Sequence, residues 1–102
     1  MVMPIITRKT LAEFWQKHPN AENPLKLWFV RTRQAQWHSL AELRRDFLAA
    51  DLVRRVIVFN IGGGNYRLVA RVEYQLQRVY VRQIMTHAEY DKGAWKNDLW
   101  FT

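Results

Sequence analysis

No cysteine occurs among the 102 residues, so neither a disulfide framework nor a zinc–thiolate site can form. Histidine is scarce as well: His18, His38 and His87 stand far apart, with no HxH or HxxxH pair. That spacing assigns no metal site, and no cofactor is expected. Nor does any stretch approach the roughly 20 apolar residues of a membrane span. The opening MVMPIIT lacks the charged region and long apolar run of an export signal. A soluble, cytoplasmic protein with no membrane partner is the expectation. Repeats, low-complexity tracts and linkers are missing too, so residues 1–102 read as one domain.

What the chain has in excess is positive charge. Sixteen Lys and Arg face nine Asp and Glu, a formal net charge of +7. On a domain this small, such a balance attracts polyanions, nucleic acid first. An apolar fraction of 49% supplies a packed core, which excludes a disordered basic tail.

The period of the apolar residues changes once along the chain. Met3 to Thr7 predicts a short strand, kept to a sheet edge or a strand start by Pro4. Leu11, Phe14, Trp15 and His18 then mark one helical face, with Thr7 as its cap and Pro19 near its end. Asn23 before Pro24 has the form of a second helix start, and Leu25, Trp28 and Phe29 form its apolar stripe. Ser39 with Glu42 predicts a capping box opening a third helix that buries Leu40, Leu43 and Phe47. From Arg54 the pattern turns β: RRVIVFNIG, a GGGN turn, YRLVARVEY, a QLQ turn and RVYVRQIM. GGGN joins two strands and opens no helix, so it reads as a hairpin turn and not as a phosphate loop. The expected class is α+β: a small antiparallel sheet built on a three-stranded meander, N-terminal helices on one face, the other face free.

Alternation along YRLVARVEY puts Arg67, Val69 and Arg71 on one face and Leu68, Ala70 and Val72 on the other. Arg82 stands on the next strand. Glu73 alone does not balance these arginines, so the face suits phosphate; an ordinary solvated face fits the pattern equally well. Past the last strand, THAEYDK predicts a Thr86–Glu89 capping box, with His87 and Tyr90 projecting from one turn. Imidazole moves protons at neutral pH and a phenol can position a phosphate, while Lys92 and the strand arginines can stabilise a pentacovalent phosphate. No metal is required when the RNA's own 2′-hydroxyl is the nucleophile. These parts fit metal-independent RNA cleavage.

RVIVFNIGGGNYRLVARVEY, followed by VYVRQIMTHAEYDK, resembles the HigB-type mRNA interferase toxins of the RelE superfamily. IITRKTLAEFWQKHP is similar to the start of that family, so the likeness covers residues 5–92. The resemblance implies a RelE-like sheet with helices on one side, and the toxin of a type II toxin–antitoxin pair. Such toxins enter the ribosomal A site and cut mRNA there. The implied partners are the ribosome with its mRNA and a HigA-type helix-turn-helix antitoxin, with operator DNA reached through that antitoxin.

Carried over by motif, Arg67 takes the place of the family's phosphate-binding arginine. His87 takes that of the general acid for the leaving 5′-oxygen, and Tyr90 that of an aromatic orienting a base or phosphate. Arg71, Arg82, Lys92, Asn60 and Asn65 are the expected RNA contacts. RelE carries lysines on the strand before the hairpin, one of them activating the 2′-hydroxyl, whereas VIVFNIG has none. Asn60 can position that hydroxyl but cannot take its proton, which leaves Asp91, or His87 in a double role, as the base. Lys9, Arg31, Arg33, Arg44, Arg45, Arg54 and Arg55, away from this site, suit contacts to ribosomal RNA. The alternative, of another class, is a non-catalytic RNA- or ribosome-binding protein that stops translation by occupancy. For the tail AWKNDLWFT three roles stay open: padding the core, covering the sheet edge, or meeting the antitoxin.

Overall fold

The computed structural model describes residues 3–6, 8–98 and 101. The strands are β1 (Ile5–Ile6), β2 (Asp51–Val53), β3 (Val56–Ile61), β4 (Tyr66–Glu73) and β5 (Arg78–Thr86). They form one sheet in the order β1-β5-β4-β3-β2. Helices α1 (Arg8–Lys17), α2 (Glu22–Gln34) and α3 (Leu40–Asp46) precede β2, and α4 (His87–Lys92) follows β5. The α+β class is as expected, with two differences. The sheet is mixed, because β1 runs parallel to β5. These strands are joined through the whole chain between them, so no hairpin forces them antiparallel. The meander also gains a strand: β2 pairs with Val56 to Val58 across a turn in which Arg54 adopts φ 55°.

Two helix starts differ from the sequence reading. Asn23 does not cap α2; a 3₁₀ turn, Pro19–Ala21, winds straight into it and Ala21 is the cap. Pro24 then sits in the first turn, where a missing N–H costs no helical bond. At α3, Ser39 Oγ accepts from the Glu42 N–H at 3.3 Å, but the Glu42 carboxylate passes Ser39 and takes the His38 N–H at 3.0 Å. Only half of the expected box forms there. The Thr7 cap and the Lys9 side chain lie outside the described residues.

Helices α1 to α3 cover one sheet face, burying Leu11, Leu25, Trp28 and Leu43 against Phe59 and Leu68. The opposite face is not free, contrary to expectation. Val56, Val58, Val69 and Met85 form a second apolar patch there, closed by Trp95 and Phe101 from the C-terminal segment. Val58 and Val69 face each other across β3 and β4, so an uncovered sheet would leave this patch in water. Among the described residues no helix is long and apolar enough to cross a membrane.

The β3–β4 turn places Gly62, Gly63 and Gly64 at φ 63°, 67° and 99°. A side chain at any of these φ values is strained whatever the space, and Gly64 lies furthest from the left-handed helical value of about 57°. Gly64→Ala is expected to cost about 1–3 kcal/mol, seen as a lower urea midpoint at unchanged slope.

Candidate active site

Arg67 stands on β4, the central strand, opposite Asn60 on β3 and Met85 on β5. It shares the face of Val69, away from α1 to α3. Its Nη1 donates to the Gly64 carbonyl at 2.6 Å and to the Tyr66 carbonyl at 3.2 Å. The guanidinium lies 5.4 Å over the Tyr90 ring. Two carbonyls and an aromatic ring thus fix its position. Among the described residues no carboxylate neutralises it.

Arg71 and Arg82, the other two arginines expected on this face, are neutralised, which corrects the expectation of an unmatched row. Arg71 pairs with Glu73 at 2.9 Å. Arg82 makes two 3.0 Å bonds to Asp98, a carboxylate supplied by the tail. The register of β4 and β5 shifts at Val69/Ala70, where Val69 pairs with Gln83 and Ala70 with Val81. Arg82 is therefore the extra residue of a bulge.

Arg67 lines an open cleft of 520 Å³ together with Asn60, Val58 and Tyr90. The facing wall is the end of α3 and the segment into β2: Arg44, Leu48, Ala49, Ala50 and Asp51. Arg44 was expected away from the site. Instead its Nε donates to the Ala50 carbonyl at 3.0 Å, and its guanidinium lies 3.7 Å from the Asp51 carboxylate.

Helix α4 supplies the remaining groups. Thr86 Oγ1 accepts from the Glu89 N–H at 3.1 Å, and the Glu89 carboxylate accepts from the Thr86 N–H at 2.9 Å, so the expected capping box is complete. The His87 N–H donates to the Asn65 carbonyl at 3.0 Å, tying α4 to the glycine turn. From that fixed start, His87 Nδ1 meets Asp91 Oδ2 at 2.9 Å, both side chains exposed. Tyr90 turns inward and stacks on Trp95, with ring centres 5.1 Å apart and planes 13° apart. Burial pushes the Tyr90 phenol above its ordinary value; Asp51 and Asp91 add to this and Arg67 opposes it. At neutral pH the phenol keeps its proton and is a donor.

A family model described as HigB_toxin, RelE-like toxic component of a toxin-antitoxin system, matches residues 21–93. The chain belongs to this family. It is 32% identical over 92 residues to the mRNA interferase toxin HigB of Escherichia coli (strain K12), covering 87% of this chain and 88% of that one. The mRNA interferase HigB of Shigella flexneri matches to the same extent. That of Escherichia coli O6:H1 is 29% identical over 93 residues, 88% of this chain and 90% of its own. As the toxic component of such a system, the protein has an antitoxin partner. The matched segment holds every cleft residue and all of α4, and ends before Trp95.

In this HigB-family toxin, Asn60, Arg67 and Tyr90 meet on the cleft, and the His87–Asp91 pair sits on the helix that carries Tyr90. Arg71, Arg82 and Lys92 do not line the cleft, and Asn65 contributes its carbonyl to α4. The residues missed by sequence reasoning are those of the α3–β2 wall, with Asp51 foremost. The capping box also has a pH consequence. The Thr86 N–H holds the Glu89 carboxyl below the usual glutamate range. Such a group contributes stability above its unfolded value, roughly 4.3, and loses it as pH falls through the depressed folded value. Amide exchange at Thr86 is expected to accelerate across that acid window. Glu89→Gln, whose amide oxygen still accepts the bond, should abolish the transition.

Proposed function

We propose that this toxin is a ribosome-dependent endoribonuclease, an mRNA interferase that cuts mRNA in the ribosomal A site without a metal and so arrests translation. The curated relatives carry the name mRNA interferase. The observation that carries the reading is the cleft itself: an arginine with no carboxylate partner among the described residues, stacked on a protonated tyrosine whose helix also carries a histidine–aspartate pair. Arg67 receives the scissile phosphate and Tyr90 orients it through the phenol. Asp91 fixes the imidazole through Nδ1, so that Nε2–H of the imidazolium protonates the leaving 5′-oxygen. Asn60 positions the 2′-hydroxyl. Asp91 is engaged by His87 at 2.9 Å and Asp51 by Arg44 only at 3.7 Å, so in this reading Asp51, on the cleft wall, takes the hydroxyl's proton. Attack of the 2′-oxygen on phosphorus then breaks the bond to the 5′-oxygen and leaves a 2′,3′-cyclic phosphate. The partners in this reading are the ribosome with its mRNA, and a HigA-type helix-turn-helix antitoxin that also carries the toxin to operator DNA; the protein works in the cytoplasm.

Primer-extension mapping of a reporter mRNA in a purified translation system tests this. Cuts inside codons that require both ribosomes and His87 are expected. Intact mRNA with translation still stopped would make the protein a binder acting by occupancy.

A further inference from the structure

The cleft does not end at Asn60. Strand β2 pairs with β3 only as far as Val58, so among the described residues the outer edge of β3 at Asn60 and Ile61 has no strand beside it. Asn60 lines the cleft and also a second depression of 430 Å³, between α2 and the β3–β4 turn. That volume lies within the roughly 300–1,000 Å³ typical of small-ligand sites. Arg31 lines this depression and a third one of 490 Å³, which Arg45 and Asp46 share. Asn60 is thus shared by the first two hollows and Arg31 by the second and third.

The middle hollow has the chemistry of a nucleobase site. Leu27, Trp28 and Phe47 give it apolar walls. Trp28 and Phe47 both pack edge-on against Phe59, at 5.4 and 5.2 Å, so the backing is rigid. Leu27 is 54% exposed on a strongly basic protein, an apolar surface the core does not use. Asn60 and Ile61 close the hollow on the sheet side. A Cβ placed on Gly63 meets nothing within 4 Å, which leaves room for a ribose over the turn. Arg31 stands beyond the pocket with no carboxylate partner among the described residues, where a further phosphate would pass.

We infer that this hollow is a nucleobase pocket that holds the base next to the scissile phosphate, with Arg31 binding the phosphate that follows. The inference rests on the ribonuclease reading and names the part of the RNA path that discriminates nucleotides. Two measurements test it. In the first, the ¹⁵N-labelled toxin is titrated with each of the four nucleoside 5′-monophosphates and, separately, with ribose 5-phosphate. Saturable shifts of the Trp28 indole and the Gly62 and Gly63 amides are expected with at least one nucleotide and not with ribose 5-phosphate. Equal response to ribose 5-phosphate, or no response to any nucleotide, overturns the pocket. In the second, cut sites are mapped for wild type and Leu27→Trp, which fills the hollow from its exposed side. The ratio of nucleotides at one position beside the cut is expected to change by about tenfold. An unchanged distribution overturns the pocket. Should the wild type not cut RNA at all, the ribonuclease reading falls, and the titration alone decides whether the hollow takes a base.

Discussion

His87→Ala is expected to slow mRNA cleavage on programmed ribosomes by about a hundred- to ten-thousand-fold, the usual contribution of a positioned general acid. Stability should hardly change. The imidazole is 54% exposed and its bond to Asp91 lies at the surface, where such a pair contributes about 0–1 kcal/mol. Rate and stability therefore separate cleanly in this variant. Asp91→Asn refines the point: the amide oxygen still accepts from Nδ1, so the ring keeps its orientation and a smaller loss is expected. Arg67→Ala should weaken binding and rate together, because the only cleft cation on the central strand is removed. Single-turnover rates with each variant in excess over programmed ribosomes measure all three. Wild-type cutting by His87→Ala would assign the acid to another group, with the Tyr90 phenol next in line.

These residues were legible because their geometry is set within a few positions. A capping box is local chemistry, and THAEYDK specifies its own helix start, so His87, Tyr90 and Asp91 fall on known sides of one turn. GGGN likewise closes its own hairpin and fixes the register that sets Asn60 against Arg67. What escaped depends on distant partners. Strand β2 has three residues, too few to show a period, and exists through its pairing with β3. Asn23 before Pro24 looks like a cap until the 3₁₀ turn upstream is known. The second core patch needs Trp95 and Phe101 to return across the sheet, and no spacing rule encodes that return. The partner of Arg82 was hidden for the same reason, since Asp98 lies on that returning segment.

The α3–β2 wall is an intermediate case. RRDFLAADL carries a signal, because Leu48 is apolar, follows no period and is 87% exposed. An apolar side chain held out in water beside a basic cleft marks a contact surface more often than a packing error. Where that segment lies, however, is decided by α3 packing on the sheet through Leu43 and Phe47, and by Arg44 reaching the Ala50 carbonyl. Sequence counted the cations and could not say that Arg44 among them turns into the cleft.

Trp95→Ala should destabilise the toxin by about 3–5 kcal/mol, the cost of emptying a buried aromatic site, and should also slow cleavage by the molecules that remain folded. Trp95 is 4% exposed and closes the patch of Val58, Val69 and Met85. Its Nε1 donates to the Tyr90 carbonyl at 3.1 Å, and its own carbonyl accepts from Gln83 at 2.9 Å. The ring of Tyr90 is thereby held between Trp95 and the Arg67 guanidinium. Without Trp95 one side of that sandwich is open and the phenol loses its fixed aim, although Trp95 does not line the cleft. Trp95→Phe keeps a ring against Tyr90 and gives up the indole bond, so most of the rate should return while stability stays about 1 kcal/mol below wild type. Arg82→Ala is the complementary control. It removes the two bonds to Asp98 but leaves the stack of Tyr90 on Trp95, so the rate per folded molecule should stay near wild type. Urea denaturation gives the folded fraction, and single-turnover cutting normalised to that fraction gives the rate. A Trp95→Ala toxin that cuts at the wild-type rate per folded molecule would show that Tyr90 needs no backing, and that the tail serves stability alone.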